Sequence, residues 1–283
     1  MTRIKHLITA LLRTGLACGG PQLRRLLADA SRTAGGGLIP EVVETIPTPR
    51  GDILFYCLDE LPLWRARTLL IKEPETIEWI DRFVPGDVYW DVGANIGVYA
   101  LYAAINRQVR VLAFEPSAAN YLLLNRNIEK NGLADHLQAF AIAFSDRTTL
   151  DALNMQTTDF GGALSSFAVP VDNDGRTFVP TFRQGMIGFT IDDFIGQFAP
   201  PFPNHLKIDV DGIEDRIIVG AAKTLADARL RSLSIELDAG RPDYVLAITE
   251  RLNAAGLKLV AKRHSSLFDD GKYRNIYNYQ FCR

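Results

Sequence analysis

The chain has 283 residues, of which 47% are hydrophobic and 23% are charged, and its formal net charge is −2 at pH 7. That length can bury a full hydrophobic core, and the near-neutral charge provides no overall basic field for nucleic-acid binding. The three scattered cysteines lack C-x-x-C spacing, which argues against a disulfide framework or a zinc site and favours the cytoplasm. No apolar run approaches the ~18 residues of a membrane span.

Residues 1–37 are predicted to form a basic amphipathic N-terminal extension. The first 35 residues hold six Lys or Arg and one Asp, a net charge of +5, and apolar residues between positions 4 and 12 repeat at helical spacing. One interpretation is a helix that docks on the domain or on a second copy in a homo-oligomer. The other is transient contact of residues 1–30 with an anionic membrane surface. The run AGGG indicates a flexible joint, so one domain is predicted over 38–283.

The first half of this domain alternates between predicted strands and helices. The predicted elements are, in chain order, a preface hairpin at 47–59, a helix at 73–84, a strand, glycine turn and helix within 86–107, a strand at 109–116, a helix ending at Asn131-Gly132 and a strand at 137–146. The strands are apolar along their whole length. This pattern indicates a parallel sheet with helices on both faces.

An inserted β-hairpin is predicted to interrupt this alternation at about 160–188, with its turn at residues 172–175. A capped helix, a strand with an acidic turn and a helix, and a further strand follow. The last predicted elements are a helix at 242–256 and two strands, at 257–263 and 275–281. The final strand is expected to pair antiparallel with the one before it.

The stretch VYWDVGANIGVYA, residues 88–100, places an acid and two glycines where the first strand of this alternation turns into a helix. Ligands of open parallel sheets bind at the carboxyl ends of strands, where the strand order reverses. We expect Gly93 to let the backbone approach a ligand and Gly97 to let helix and strand pack closely. On this evidence alone, the alternative is a purely structural glycine corner.

Glu115 ends the next strand, 18 residues after Gly97, where an acid can accept hydrogen bonds from both hydroxyls of a ribose. A nucleoside-bearing ligand is therefore expected. A dinucleotide site needs G-x-G-x-x-G around a pyrophosphate, but Asn95 replaces its middle glycine and Asp91 would repel the phosphates. S-adenosylmethionine has no phosphates and carries an ammonium and a sulfonium cation. The pattern favours methyl transfer over hydride transfer.

Five linked motifs within residues 70 to 240 resemble the FkbM family of S-adenosylmethionine-dependent methyltransferases. They are EPETIEWIDRFVPGDVYWDVGANIG, AFEPSAANYLLLNRNIEKNG, AFSD, TIDDF and LKIDVDGIEDRIIVGA. The resemblance implies a class I, Rossmann-like α/β fold with a seven-stranded, mostly parallel sheet, and O-methylation of sugars or polyketide products. It also implies the cofactor-binding residues: Asp91, Gly93, Asn95 and Gly97 at the methionine end, Glu115 at the ribose, and Ser145 with Asp146 at the adenine.

The turn at residues 207–214 gathers three acids and a lysine beside the expected donor end. An acceptor hydroxyl has to lose its proton to a base or to a metal-bound group. We predict that Asp209 orients or deprotonates the acceptor and that Lys207 holds an alkoxide or an anionic substrate. Asp211 and Glu236 complete the predicted catalytic set. For Asp211 the alternative is a helix cap, since carboxylates stabilise a helix start.

Magnesium is the metal to consider at this end of the sheet. In catechol-type methyltransferases, acids at these two strand ends hold that ion, and Asp209 with Glu236 or Asp238 offers the oxygen ligands that it prefers. No second motif supports a metal, so no metal ligand is predicted.

The segment DFGGALSSF, residues 159–167, is expected to close over the acceptor site. Gly161 and Gly162 allow flexing, and Ser165 and Ser166 offer hydroxyls to a polyhydroxylated acceptor. The alternative is an edge ornament of the sheet or a contact between subunits.

The sequence thus predicts an S-adenosylmethionine-dependent O-methyltransferase with a small-molecule or glycan acceptor and no nucleic-acid partner. Its expected location is the cytoplasm, or the inner face of the membrane. One alternative is an NAD-dependent oxidoreductase, which Asp91 and the missing glycine oppose. Another is a non-catalytic adenosylmethionine-binding protein, which the acids at 207–214 oppose.

Overall fold

The computed structural model describes residues 42–283. The predicted basic extension at 1–37, its contact with a membrane or a second copy, and the start of the domain at residue 38 lie outside the described residues. Within residues 42–283, no helix combines the length and apolar character needed to cross a bilayer.

Strands and helices alternate through most of the described chain. The strands are β1 Val43–Ile46, β2 Ile53–Tyr56, β3 Val88–Val92, β4 Arg110–Phe114, β5 Leu137–Phe140, β6 Ala143–Phe144, β7 Thr149–Met155, β8 Ser165–Phe167, β9 Phe182–Phe189, β10 His205–Ile208, β11 Ser232–Asp238, β12 Lys258–Arg263 and β13 Ile276–Cys282. The α-helices are α1 Glu60–Arg67, α2 Pro74–Ile80, α3 Val98–Arg107, α4 Ala118–Lys130, α5 Ile191–Phe198, α6 Glu214–Val219, α7 Ala222–Ala226 and α8 Pro242–Ala254.

The main sheet has seven strands in the order β12-β13-β11-β10-β3-β4-β5. The pairings from β11 to β5 are parallel, whereas β13 runs antiparallel to both β11 and β12. The predicted seven-stranded, mostly parallel sheet with an antiparallel last strand is confirmed. The chain moves outward from β3 to β5 and returns at β10, so the strand order reverses between β3 and β10, where ligands of such sheets bind.

Helices cover both faces of this sheet, as predicted. Side chains alternate along a strand, so Tyr89 of β3 joins the core beneath α2, α3 and α4, whereas Trp90 and Val92 join the core beneath α5 to α8. The same alternation turns Asp91 toward the α2–α3 face. An acid thereby enters this layer, next to Lys207, its partner on β10.

Two predicted segments differ from the structure in their pairing. Residues 137–146 form two strands rather than one, because β6 leaves the main sheet and joins a second sheet of order β6-β9-β7-β8. In the predicted inserted hairpin, β8 pairs with β7 and not with β9. The reason is the length of the competing ladder. Strands β7 and β9 pair over seven residues, whereas the two arms at the 172–175 turn make only a single bridge, between Val171 and Thr177.

The preface hairpin is formed by β1 and β2, which pair antiparallel from Val43–Tyr56 to Ile46–Ile53. Its first arm therefore lies just before the predicted range 47–59. The residues expected to begin the hairpin, 47–52, instead make the connection between the arms.

Candidate active site

The sheet register brings the predicted acids and lysine to one edge. Asp91 of β3 is paired with Lys207 of β10, which in turn is paired with Ser234 of β11. A cavity with about 410 Å³ of empty space opens where these strands end. Its walls are formed by the loop after β3, by the first turn of α3, by Lys207 and Asp209, and by four residues from α1 and the turn after it: Arg65, Thr68, Leu69 and Lys72.

Asp91 is the buried anion of this cavity. Only 1% of the residue is exposed, and its Oδ1 atom has no hydrogen-bond partner among the described residues. Burial raises the pKa of Asp91 to about 6, although the ammonium group of Lys207 opposes the shift. A buried polar atom without a partner is costly, so the cavity suits a ligand that brings a cationic donor to Asp91.

The two glycines of the loop serve contacts within the protein. Gly93 has φ +87°, and a Cβ atom there would overlap the backbone carbonyl oxygen of Asp209. Gly93 therefore lets the ends of β3 and β10 touch, and it also lines the cavity. The expected approach of its backbone to a ligand stays a prediction. Gly97 has φ +89°, and its missing Cβ makes room for Leu124 of α4, so its close packing is with a helix and not with the strand.

Gly93→Ala is expected to destabilise the fold much more than Gly86→Ala, which provides a matched control. Both glycines have left-handed φ, +87° and +91°, but a Cβ at Gly86 meets nothing within 4 Å. The control should cost only the backbone strain of about 1–2 kcal/mol. Urea unfolding of both variants measures the difference; equal losses of stability would show that the Asp209 contact is unimportant.

Glu115 lies at the end of β4, beneath the same loop. Its Oε2 accepts the N–H of Asn95 at 2.8 Å and its Oε1 accepts the N–H of Ser117 at 2.9 Å. Burial raises the pKa of Glu115 to about 7, and these two N–H groups oppose that shift. Each carboxylate oxygen keeps further acceptor capacity, which two vicinal hydroxyls of a ribose would use.

The segment predicted as a lid is tied to the loop after β3 and to α4. The Nδ2 atoms of Asn95 and Asn120 each donate to the carbonyl oxygen of Gly162 at 2.9 Å, and Gly161 N–H donates to Asn120 Oδ1 at 2.8 Å. The Oδ1 atom of Asn95 accepts the N–H of Ile96, so both ends of its side chain are engaged within the protein. Ser166 is 1% exposed, which removes it from the surface that an acceptor would meet.

Asp209 lies beside Lys207, with 2.5 Å between the carboxylate Oδ2 and Nζ. A second ion pair, Lys72 Nζ to Glu73 Oε1 at 2.6 Å, lies next to it. Burial opposes ionisation of Glu73, but Lys72 and Lys207 outweigh it and lower its pKa. Burial, reinforced by Asp209 and Glu73, raises the pKa of Glu236 well above its usual value. Within the cluster, the environment therefore favours the ionised form of Glu73 and the protonated form of Glu236.

Asp211 does not act as the helix cap that was the alternative for it. Helix α6 begins at Glu214 without a side-chain cap. Asp211 instead accepts the N–H of Leu164 at 2.6 Å, which fastens the far end of segment 159–164. Glu214 accepts the Gly212 N–H and the Tyr244 hydroxyl, at 3.0 and 2.7 Å. Both acids position backbone around the site.

Three acids lie close enough together to hold a metal ion, but two of them are already paired with lysines. Glu73, Asp209 and Glu236 each place one oxygen within 4.8 Å of the others, whereas Asp238 accepts the N–H of Gly240 at 2.7 Å. The ammonium groups of Lys72 and Lys207 contact two of the three acids. In this arrangement the three acids do not fit a magnesium ion, because the ion would have to displace the lysines.

The residues implied for the adenine end lie apart from the 410 Å³ cavity. Ser145 is 1% exposed and donates its N–H to Phe189 at 2.9 Å, and its hydroxyl contacts Asp146. On the other side of Glu236, a smaller polar hollow of about 210 Å³ is bordered by Asp238, Arg241 and Tyr244. Glu214 and Glu236 also line this hollow.

Four site residues were not expected from the sequence: Arg65, Lys72, Glu73 and Asn120. Glu73 begins the helix predicted at 73–84, and Asn120 lies inside an ordinary amphipathic helix. The only local signal for an ion pair is that the adjacent Lys72 and Glu73 carry opposite charges. Nothing local indicated that α1 would reach the end of β10.

The sheet and its acid–glycine loop define a methyltransferase of Rossmann-like fold. The Methyltransferase FkbM domain matches residues 91–259. The chain therefore belongs to the FkbM methyltransferase family.

Two characterised proteins are similar in sequence. Hexuronic acid methyltransferase AglP of Haloferax volcanii is 27% identical over 182 residues, 63% of this chain and 67% of that protein. The 31-O-demethyl-FK506 methyltransferase FkbM of Streptomyces tacrolimicus is 38% identical over 60 residues, 21% of this chain and 23% of that protein. Among solved structures, the METTL16 methyltransferase domain covers 84% of this chain and 86% of its own, at 13% identity and TM-score 0.48.

Proposed function

We propose that the protein transfers a methyl group from S-adenosylmethionine to an oxygen of a sugar-containing acceptor. The observation that carries the proposal is the buried Asp91, which lines a cavity beside the Asp209–Lys207 pair and whose Oδ1 has no hydrogen-bond partner among the described residues. Asp91 suits the donor's ammonium group, and Glu115 suits its ribose. The similarity to a hexuronic acid methyltransferase supports a sugar as the acceptor.

The residues of this chain supply position and proton transfer. When bound, the donor supplies a sulfonium methyl group, whose carbon–sulfur bond breaks as the acceptor oxygen attacks in line. Asp209 accepts the proton of the acceptor hydroxyl as the new oxygen–carbon bond forms. Lys207, with 2% of its side chain exposed, holds Asp209 in place instead of reaching the acceptor itself. Glu236 keeps its proton and donates a hydrogen bond to the acceptor.

A hydride-transfer function is disfavoured by the same cavity. A pyrophosphate would lie beside the carboxylate of Asp91, and repulsion between the two would add to the cost of burying both. A non-catalytic binding protein would have no need for the buried ion pair at Asp209. We therefore expect turnover as well as binding.

Binding of S-adenosylhomocysteine tests the proposal and should depend on pH. The pKa of Asp91 is raised to about 6 and that of Glu115 to about 7, and both must be ionised to bind the donor's ammonium and ribose. Affinity should consequently fall at least about 10-fold from pH 7.5 to pH 5, as the acids become protonated. Calorimetry at both pH values, with NAD as the comparison ligand, measures this.

Methyl transfer from a radiolabelled donor to hexuronate-containing glycans, with and without a chelator, then tests the acceptor class. Binding of NAD without binding of S-adenosylhomocysteine would reject the proposal. The affinity for S-adenosylhomocysteine depends on pH partly because Asp91 titrates. Asp91→Asn should remove most of that part. If the variant binds like the native protein, Asp91 is not the ammonium site.

A further inference from the structure

The cavity beside Asp91 has a second charged wall, formed by α1 and the turn after it. Arg65, Thr68, Leu69 and Lys72 recur at the spacing of one helical face and line the cavity together. Backbone hydrogen bonds from Thr68 to Trp64 and from Lys72 to Thr68 keep the turn helical. None of these residues lies within the matched family region, 91–259.

The cations of the cavity differ in how the protein already neutralises them. Lys72 is paired with Glu73, and Lys207 with Asp209. Arg65 is half-buried and has no ion pair within residues 42–283. Its Nε donates to the carbonyl oxygen of Gly161 at 2.6 Å, a neutral partner. Its terminal nitrogens find no acceptor in the described part of the chain, so a charged fork of N–H donors is left for a ligand.

The backbone of the glycine loop has little to offer an anion. All five N–H groups of residues 93–97 already donate within the protein. The first turn of α3, at Val98 and Tyr99, borders the cavity and adds the positive end of a helix dipole. An anionic group near Asp91 would therefore depend on Arg65 and on this helix end.

We propose that Arg65 binds the carboxylate of the donor's methionine end, an inference that rests on the proposed function. In the donor, the ammonium and the carboxylate are attached to one carbon atom. A site that holds the ammonium at Asp91 consequently needs a carboxylate-binding group close by. A planar guanidinium matches a carboxylate with two parallel hydrogen bonds, a geometry that a lysine cannot provide.

This assignment also connects donor binding with segment 159–164. Arg65 and Asn95 converge on the neighbouring carbonyl groups of Gly161 and Gly162. A bound carboxylate would hold the guanidinium in place, and the guanidinium would hold Gly161. The donor thus stabilises segment 159–164.

Arg65→Gln tests the proposal, with Arg67→Gln as the matched control. Arg67 lies on the same helix, but 59% of its side chain is exposed and it pairs with Glu44 at 2.8 Å. Calorimetry compares S-adenosylhomocysteine with its decarboxylated analogue, which lacks only the carboxylate. We expect Arg65→Gln to weaken S-adenosylhomocysteine about 10- to 100-fold and the analogue less than about 2-fold. Arg67→Gln should change neither affinity.

Equal weakening of both ligands would overturn the proposal, and so would unchanged donor binding with a raised KM for the acceptor. Arg65→Lys keeps the charge without the fork and should weaken S-adenosylhomocysteine by an intermediate factor; it provides the test if the Gln variant does not fold. Failure of the native protein to bind S-adenosylhomocysteine would instead reject the proposed function.

Discussion

Asp209→Asn is expected to lower kcat at least about 100-fold while S-adenosylhomocysteine binds within about 2-fold of its native affinity. An amide has nearly the shape of the carboxylate but cannot accept the proton of an acceptor hydroxyl. Donor binding should survive because Asp91 and Glu115, not Asp209, make the proposed contacts with the donor. Initial rates with a sugar acceptor, together with calorimetry, separate the two effects.

Asp243→Asn is the control for this change, since Asp243 is exposed in the first turn of α8. It undergoes the same chemical substitution without contact with the site. If Asp209→Asn weakens donor binding and leaves kcat intact, Asp209 is a binding residue and the proposed base lies elsewhere.

Lys207→Met is expected to destabilise the fold by about 3–5 kcal/mol, which is the range for removing one partner of a buried ion pair. Lys207 is 1% exposed, and its ammonium group lies among the carboxylates of Asp209, Glu73 and Asp91. Burial disfavours its charge, but these three acids outweigh it and raise its pKa. Methionine fills the space without supplying the charge, so the acids are left without their shared cation.

The pH dependence distinguishes this loss from a packing defect. A carboxyl whose pKa is higher in the folded than in the unfolded chain destabilises the fold as pH rises from the unfolded to the folded value. Without Lys207 the pKa values of the neighbouring acids rise further in the folded chain. The loss of stability should therefore be larger at pH 8 than at pH 5. Urea unfolding at both pH values measures it. An equal loss at both, or one no greater than that of the exposed control Lys223→Met, would contradict the electrostatic explanation.

Much of the fold was predictable because its signals are local. Apolar strands that alternate with helices determine a covered parallel sheet, and the antiparallel last strand followed from the alternating residues near the C-terminus. The pairing within the second sheet was not predictable. The choice of β7 rather than β8 as the main partner of β9 depends on ladder length, which only the assembled strands reveal.

The site divides in the same way. Asp91 lies near the end of β3, and Glu115 and Asp209 directly follow β4 and β10. The carboxyl ends of parallel strands meet at one edge, so the approximate positions of these acids could be inferred. The functions of Gly93 and Asp211 could not. Gly93 accommodates a carbonyl group 116 residues later in the chain, and Asp211 accepts an N–H from a segment 47 residues before it.

By itself, the sequence determined the class of fold, the family and the edge of the sheet where Asp91, Glu115 and Asp209 lie. These depend on periodicity and on residues close together in the chain. Only the tertiary structure decided that Lys207 pairs with Asp209, that Glu73 joins them and that Arg65 reaches the cavity without an ion pair among residues 42–283. Charge pairing depends on distance in space, and the residues that meet here come from α1, the start of α2, β3 and β10, which only the folded chain brings together.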